Sequence, residues 1–218
     1  MSHTPDVVNE STATTALFLI IAASRQFSQG ERSLRAGTWK TPIRAGNAHD
    51  LTGRTLGILG LGGIGLHLAH LAHGFSMRII YHSRSKKLNA PEWCKYYENL
   101  EDMLKITDVL SVHLPLRKDT EGFVGEKEIR MLKRGSILVN TARGKVVDEG
   151  AMIRALEDGH VRHQILSFSC HLTAIHSSDL SDLMSLPTSP ISTQYYSNSH
   201  RQLYCLTLAP RLWSPLGT

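Results

Sequence analysis

The residues whose pattern most clearly indicates ligand binding form a glycine-rich turn, Gly60-Leu61-Gly62-Gly63-Ile64-Gly65. This turn follows an apolar stretch and begins a helical one. In this context the first glycine makes a tight turn and the second lets the backbone approach a pyrophosphate. The third lets the helix pack close to the strand. The helix N-terminus adds free N–H donors. The pattern predicts a dinucleotide-binding turn, and a glycine-rich turn without a ligand is the alternative.

The next apolar strand ends in a basic segment, "MRIIYHSRSKK". An NAD-selective site places Asp or Glu here to bind the ribose hydroxyls. This chain has His82, Ser83 and Arg84 instead, followed by Lys86 and Lys87. A hydroxyl and a guanidinium can hold a 2′-phosphate that a carboxylate would repel. We therefore expect NADP(H) to be preferred, with NAD(H) possible; a solvated basic loop or a targeting-like cluster is the alternative.

A third candidate is Arg143 in "ILVNTARGKVVDEGAM", where a guanidinium stands directly after an apolar run that reads as a buried strand. A solvent-facing arginine after a strand is the alternative. The type and place of this residue raise the question of what anion it binds.

Metal binding is not predicted. Three histidines recur every third residue along one helix, but no carboxylate or cysteine joins them at a suitable spacing, which favours a partly exposed helix face: His67, His70 and His73. The three cysteines share no CxxC or CxxH spacing and indicate neither a disulfide framework nor a zinc site: Cys94, Cys170 and Cys205.

The elements that must position these residues alternate between strand and helix from about Ser11 to Val161, which predicts an α/β fold of the Rossmann type, a doubly wound parallel sheet. Strands are expected at Thr55–Gly60, Arg78–His82, Val109–Leu114 and Ser136–Thr141. Helices are expected near Ile64–His73, Leu100–Ile106, Glu126–Leu132 and Glu149–Glu157, the last capped by Asp148 and ended by Gly159.

The composition changes after Val161, because the last 57 residues contain no lysine, no glutamate and eleven serines. We expect a nucleotide-binding domain over residues 1–161 and an irregular tail over residues 162–218 that is not a domain. Only "HQILSFS" is a candidate fifth strand there, and "SSDLSDLMSL" a candidate helical turn or two.

Overall composition is that of an ordinary globular protein, with 41% hydrophobic and 20% charged residues. The formal charge of +5 is spread along the chain, which suits a phosphate-bearing ligand as well as nucleic acid, and we expect no nucleic-acid partner. The longest apolar run, Ala16 to Ala23, is too short to cross a membrane, so we expect a cytoplasmic protein with no membrane partner.

The glycine turn, "TGRTLGILG" and "SVHLPLRKDTEGFVGEKEIRMLKRGSILVNTARGKVVDEGAMIRALEDGHV" together resemble the D-isomer-specific 2-hydroxyacid dehydrogenases over roughly residues 4–161. The basic end of the second strand is similar to the glyoxylate/hydroxypyruvate reductase branch. The resemblance implies two lobes, of which this chain supplies the nucleotide-binding one. It also implies hydride transfer between nicotinamide C4 and the 2-carbon of a small 2-oxo or 2-hydroxy acid.

The resemblance gives Arg143 a role, holding the carboxylate and carbonyl oxygen of the substrate. It implies that Leu114 and Pro115 contact the ribose side, and that Thr141 and Ala142 lie with Arg143 near the nicotinamide. Gly63 is a departure, because many relatives have arginine or another longer side chain there. A phosphate contact from that position is lost.

The family's catalytic histidine and its partner glutamate should follow Val161, in a segment whose pattern is missing. The start, "MSHTPDVVNESTATTALFLI", resembles the crossover helix into the nucleotide-binding lobe. We therefore expect a chain truncated at both ends and catalytically impaired, with a tail that comes from a retained intron or a shifted frame. The alternatives are a non-catalytic nucleotide-binding or regulatory protein, as among the family's corepressor relatives, and a gene-model fragment that does not fold. Thr12–Arg25 and "SLRAGTWKTP" resemble the family's dimerisation arm, so a homodimer is possible.

Overall fold

The computed structural model describes residues 8–38, 48–167, 192–198 and 201–207, with side chains over 8–38 and 48–162. These residues form the helices α1 (Asn9–Arg25), α2 (Phe27–Arg35), α3 (Gly63–Gly74), α4 (Leu100–Ile106), α5 (Glu126–Met131) and α6 (Glu149–Glu157). They also form the strands β1 (Thr55–Leu59), β2 (Arg78–His82), β3 (Lys95–Tyr96), β4 (Val109–Val112), β5 (Ser136–Asn140), β6 (Val161–Ser167), β7 (Ser192–Asn198) and β8 (Arg201–Thr207). A short 3₁₀ helix spans Gly144–Val146.

One sheet contains all eight strands, in the order β3-β2-β1-β4-β5-β6-β8-β7. In this order every pair of neighbouring strands is parallel except the last, in which β7 is antiparallel to β8. The first six positions give the strand order 3-2-1-4-5-6 of doubly wound dinucleotide-binding folds, with the switch between β1 and β4. The predicted α/β class is confirmed.

Alternating side chains of the buried strands divide the core between the two faces of the sheet. One face, under α1 and α3, includes Leu56, Ile58, Ile79, Tyr81 and Val139. The opposite face, under α4, α5 and α6, includes Leu59, Ile80, Leu110, Val112 and Leu138. Strands covered on both sides read as continuous apolar runs, which is why their positions were predictable.

The predicted strands and helices are confirmed to within a residue or two of their ends, and β2, α4 and α6 match fully. Asp148 accepts a hydrogen bond from Ala151 N at 2.7 Å, which caps α6 as predicted. Gly159 has the expected left-handed backbone, with φ +72°. The two-residue strand β3 was not predicted, because two residues are too few to show a period.

The segment after Val161 differs in part from the irregular tail we predicted. The strand β6 begins at Val161 and includes most of the candidate "HQILSFS", and β7 and β8 form a hairpin that extends the sheet. The candidate helix "SSDLSDLMSL" lies outside the described residues. The division of the chain at Val161 stays a prediction.

No helix among the described residues is long and apolar enough to cross a bilayer.

Candidate nucleotide-binding and active site

Strand register brings the predicted site residues to one edge of the sheet. Leu59 at the end of β1 is in register with His82 at the end of β2 and with Val112 at the end of β4. Val112 is in turn in register with Asn140 at the end of β5. The glycine turn, the basic loop, the "HLPL" segment and the "TARG" loop each begin where one of these strands stops. They therefore lie side by side along the carboxyl edge, across the switch point where open α/β sheets bind ligands.

The three glycines of the turn have distinct surroundings. Gly60 has φ +97°, which only glycine adopts readily, and its N–H donates to His82 O at 2.9 Å. A Cβ at Gly65 would lie 2.5 Å from Gly60 O, so α3 packs directly on the turn. A Cβ at Gly62 would meet nothing within 4 Å, so the backbone there faces open space before the first turn of α3. This is a cradle that a side chain would fill, and it fits a pyrophosphate.

The basic loop after β2 is held by tyrosines. Tyr96 Oη donates to Ser83 O at 3.3 Å, and Lys87 N donates to Tyr81 Oη at 3.0 Å. The Ser83 hydroxyl donates to Ser85 O at 3.2 Å, while Arg84 is exposed. The loop backbone is thus fixed while the Arg84 guanidinium extends into solvent, where a 2′-phosphate could reach it.

The "TARG" loop is fixed by Asn140, a residue that sequence reasoning passed over. Asn140 is buried, its Oδ1 accepts from Ala142 N at 3.0 Å, and its Nδ2 donates to Arg143 O at 2.9 Å. Thr141 is buried beside it, while Arg143 is exposed and donates from Nη1 to Ala142 O at 2.8 Å. The backbone of the loop is therefore preorganised, and the Arg143 guanidinium donates to the carbonyl of the adjacent Ala142. An amide at the end of an otherwise apolar strand was the signal that could have identified Asn140.

A second residue that sequence reasoning did not single out is His113, which connects the ends of β4 and β5. Its Nε2 lies 2.8 Å from Ser111 Oγ, and its Nδ1 lies 3.5 Å from Thr141 Oγ1. Burial lowers the pKa of His113 from 6.5 to about 4, so the imidazole is neutral at physiological pH. The His113 imidazole therefore links the two strand ends by hydrogen bonds and carries no additional proton to donate.

We expect His113 to make the fold acid-sensitive. Because its folded pKa is about 4 and its ordinary value 6.5, the unfolded chain takes up the proton first as pH falls. The free energy of unfolding should be unaffected above pH 6.5 and fall by about 3 kcal/mol by pH 4 through this group alone. The variant His113→Gln should be less stable at pH 7 but show a flatter pH dependence across that window. Urea unfolding at pH 7, 5.5 and 4.5 measures this; parallel slopes for the two proteins would contradict it.

The helical histidines have a packing role in this structure. The rings of His73 and Trp93 stack with centroids 4.0 Å apart, and His70 meets the same indole edge-on at 5.2 Å. Within the described residues, no group of three or more histidine, cysteine, aspartate or glutamate side chains could hold a metal ion. Of the cysteines, Cys94 is a free, buried thiol, and Cys170 lies outside the described residues.

A cavity of about 630 Å³ lies away from the predicted site, along the start of β1 and β2 beside Trp93. It includes none of the residues of the glycine turn, the basic loop or the "TARG" loop.

Comparison with known proteins agrees with this geometry. Residues 17–186 match the D-isomer specific 2-hydroxyacid dehydrogenase, NAD binding domain. The chain is 42% identical over 168 residues to a glyoxylate reductase of Aeropyrum pernix, covering 74% of this chain and 50% of that protein. It is 43% identical over 175 residues to the dehydrogenase efuE of Hormonema carpetanum, covering 78% and 42%.

Solved structures of similar proteins have the same fold. A glyoxylate reductase from Paecilomyes thermophila superposes with a TM-score of 0.70 at 43% identity, covering 75% of this chain and 49% of that one. The D-lactate dehydrogenase from Aquifex aeolicus, complexed with NAD and lactic acid, gives a TM-score of 0.71 at 29% identity, covering 84% and 53%.

The chain spans about half the length of the curated relatives it matches. We expected the resemblance to end at Val161. The family match instead continues to residue 186. With the glycine turn at the switch point of a 3-2-1-4-5-6 sheet, this chain belongs to the D-isomer specific 2-hydroxyacid dehydrogenase family and contains its NAD binding domain.

Proposed function

We propose that this chain is the nucleotide-binding lobe of a glyoxylate/hydroxypyruvate reductase-like oxidoreductase that prefers NADPH. The observation that supports the proposal is the register of β2, β1, β4 and β5, because the glycine turn, the basic loop and the exposed Arg143 follow the ends of these strands. The glyoxylate reductases among its relatives support the substrate class, a small 2-oxo acid.

Each segment has a role in this proposal. The turn from Gly60 to Gly65 holds the pyrophosphate, and Leu114 and Pro115 pack against the ribose side. Thr141 and Ala142 lie near the nicotinamide, which supplies hydride when the cofactor is bound. Arg143 holds the carboxylate and the 2-oxo oxygen of the substrate, where its fixed fork of donors offsets developing negative charge.

We also propose that turnover by this chain alone is weak. Reduction of a 2-oxo acid requires a proton at the carbonyl oxygen, and general acid help is worth roughly a hundred- to ten-thousand-fold. The histidine beside the "TARG" loop, His113, is neutral because burial holds its pKa at about 4. His113 is therefore not assigned as the proton donor, and the second candidate is a non-catalytic nucleotide-binding protein. NADPH fluorescence enhancement with glyoxylate turnover supports a reductase, and enhancement without turnover supports the second candidate.

Cofactor preference is tested at Arg84. We expect Arg84→Ala to weaken NADPH binding at least tenfold, since a charge-assisted contact to the 2′-phosphate is worth about 1.5–3 kcal/mol, and to leave NADH binding unchanged. Arg78→Ala is the matched control, because Arg78 is an exposed arginine at the start of β2, the strand whose end precedes Arg84. Fluorescence titration of both cofactors measures the ratio. Equal losses for NADPH and NADH in the Arg84 variant would contradict the assignment.

We further propose that the protein is cytoplasmic and forms a homodimer through α1 and α2. Phe18, Phe27 and Leu34 on these helices are 55%, 54% and 58% exposed, which is unusual for large apolar side chains grouped on neighbouring elements. Sedimentation velocity tests this. Phe27→Ser should shift a dimer toward monomer, and a wild-type monomer at all concentrations would contradict the proposal.

A further inference from the structure

A polar side chain from a different helix lies against the first residue of α3. A Cβ placed on Gly63 would lie 2.3 Å from Asn9 Nδ2, 2.8 Å from Asn9 Cγ and 2.9 Å from Asn9 Oδ1. The Asn9 carboxamide therefore fills the space where a side chain at position 63 would begin. Gly63 is the first residue of α3, directly after the open backbone of Gly62.

The packing of α1 against α3 fixes this arrangement. Ala13 and Ala16 of α1 and Leu68 and Ala69 of α3 are fully buried in one core cluster. Asn9 is the first residue of α1, on the same side of the helix as Ala13 and Ala16. Small residues at the contact let the two helices approach closely. Both helices begin at the glycine turn, so their free N–H groups lie at the same end of the fold.

We propose that Asn9 is a phosphate-binding residue, which donates a hydrogen bond from Nδ2 to the pyrophosphate of the dinucleotide held by the glycine turn. The inference rests on the proposed function, because it assigns a further residue to the same site. It also replaces our expectation that a contact is lost with the side chain at position 63. In this chain α1 supplies the polar group that α3 lacks.

The chemistry of the side chain suits this role. A carboxamide carries two donor hydrogens and no charge, so it can bind a phosphate oxygen without the desolvation cost of a cation. Asn9 is partly exposed, and its carboxamide lies against Gly63, the residue next to the open backbone of Gly62. Glu10 is the acidic residue of this first turn and is exposed. A purely structural Asn9, which spaces α1 from Gly63, is the competing role.

The variant Asn9→Asp separates the two roles, because an acid at a helix N-terminus stabilises the helix while it repels a phosphate. We expect Asn9→Asp to fold with unchanged or higher thermal stability and to bind NADPH at least tenfold more weakly. Asn9→Ala should weaken binding about tenfold. Thr14→Asp is the charge-matched control, since Thr14 is exposed on the same helix and should leave affinity unchanged.

Comparison of three ligands shows which part of the cofactor Asn9 contacts. The weakening should appear with NADPH and 2′-phospho-ADP and be absent with 2′-AMP, which lacks the pyrophosphate. Titrations follow cofactor fluorescence or the heat of binding on the full chain. Unchanged affinity in Asn9→Asp, or equal losses with 2′-AMP, would overturn the role of Asn9 while cofactor binding by the wild type still supports the proposed function. A wild-type chain that binds neither NADPH nor NADH would overturn the proposed function itself.

Discussion

Gly62→Val is expected to abolish NADPH binding, with a loss of more than about a hundredfold, in a protein that remains folded. Gly62 has φ −92° and ψ −164°, an extended backbone that valine adopts, and a Cβ there meets nothing within 4 Å. Loss of glycine at this helix start should therefore cost under about 1 kcal/mol of folding free energy. The added side chain would occupy the space through which a pyrophosphate approaches the backbone. Fluorescence titration with NADPH and thermal unfolding of the same sample measure both effects.

Gly65→Ala is the comparison variant, because it adds a methyl group to the same turn at a position where the group destabilises the fold. Its Cβ would lie 2.5 Å from Gly60 O and 3.1 Å from Ile58 Cγ2, so α3 must shift from β1. Such overpacking costs about 1–3 kcal/mol, and we expect a lowered melting temperature together with weaker binding. If Gly62→Val binds NADPH like the wild type, the turn is not a pyrophosphate site.

The sheet and the glycine turn could be predicted because their signals are local. Buried parallel strands such as Thr55–Leu59 read as continuous runs with few polar residues, and the spacing of Gly60, Gly62 and Gly65 is a local pattern. The parallel order then places strand ends along one edge without knowledge of side-chain contacts. This is why Arg143 could be predicted to lie at the same sheet edge as the glycine turn.

The residues that fix the site were not predictable, because their contacts are distant in sequence or depend on burial. Asn9 meets Gly63, which lies 54 positions later, and no pattern joins the two positions. The altered pKa of His113 depends on burial that arises only when β4 and β5 pair. In the hairpin of β7 and β8, the edge strand β7 is largely polar and β8 shows no regular alternation, so the composition suggested an irregular tail.

Arg143→Gln is expected to leave both folding and NADPH binding unchanged and to abolish binding of a 2-oxo acid to the NADPH complex. Arg143 is exposed, and its side-chain hydrogen bond goes to the carbonyl of the adjacent Ala142, so little stability depends on it. The loop backbone is held instead by Asn140, which the substitution leaves in place. Each charge-assisted bond to a carboxylate is worth about 1.5–3 kcal/mol, so loss of a bidentate contact should weaken binding by more than about a hundredfold.

Oxalate is a suitable unreactive probe for this prediction, because it presents the two coplanar oxygens of a 2-oxo acid and cannot accept hydride. We expect oxalate to perturb the fluorescence of the wild-type NADPH complex and to have no effect on the Arg143→Gln complex. Arg143→Lys should recover only part of the affinity, since an ammonium keeps the charge and loses the planar fork. Lys145→Gln is the nearby control, because Lys145 is an exposed cation two residues along that pairs with Glu121 at 3.5 Å. Oxalate affinity that falls equally in the Lys145 and Arg143 variants would indicate general attraction by positive charge and contradict a specific clamp at Arg143.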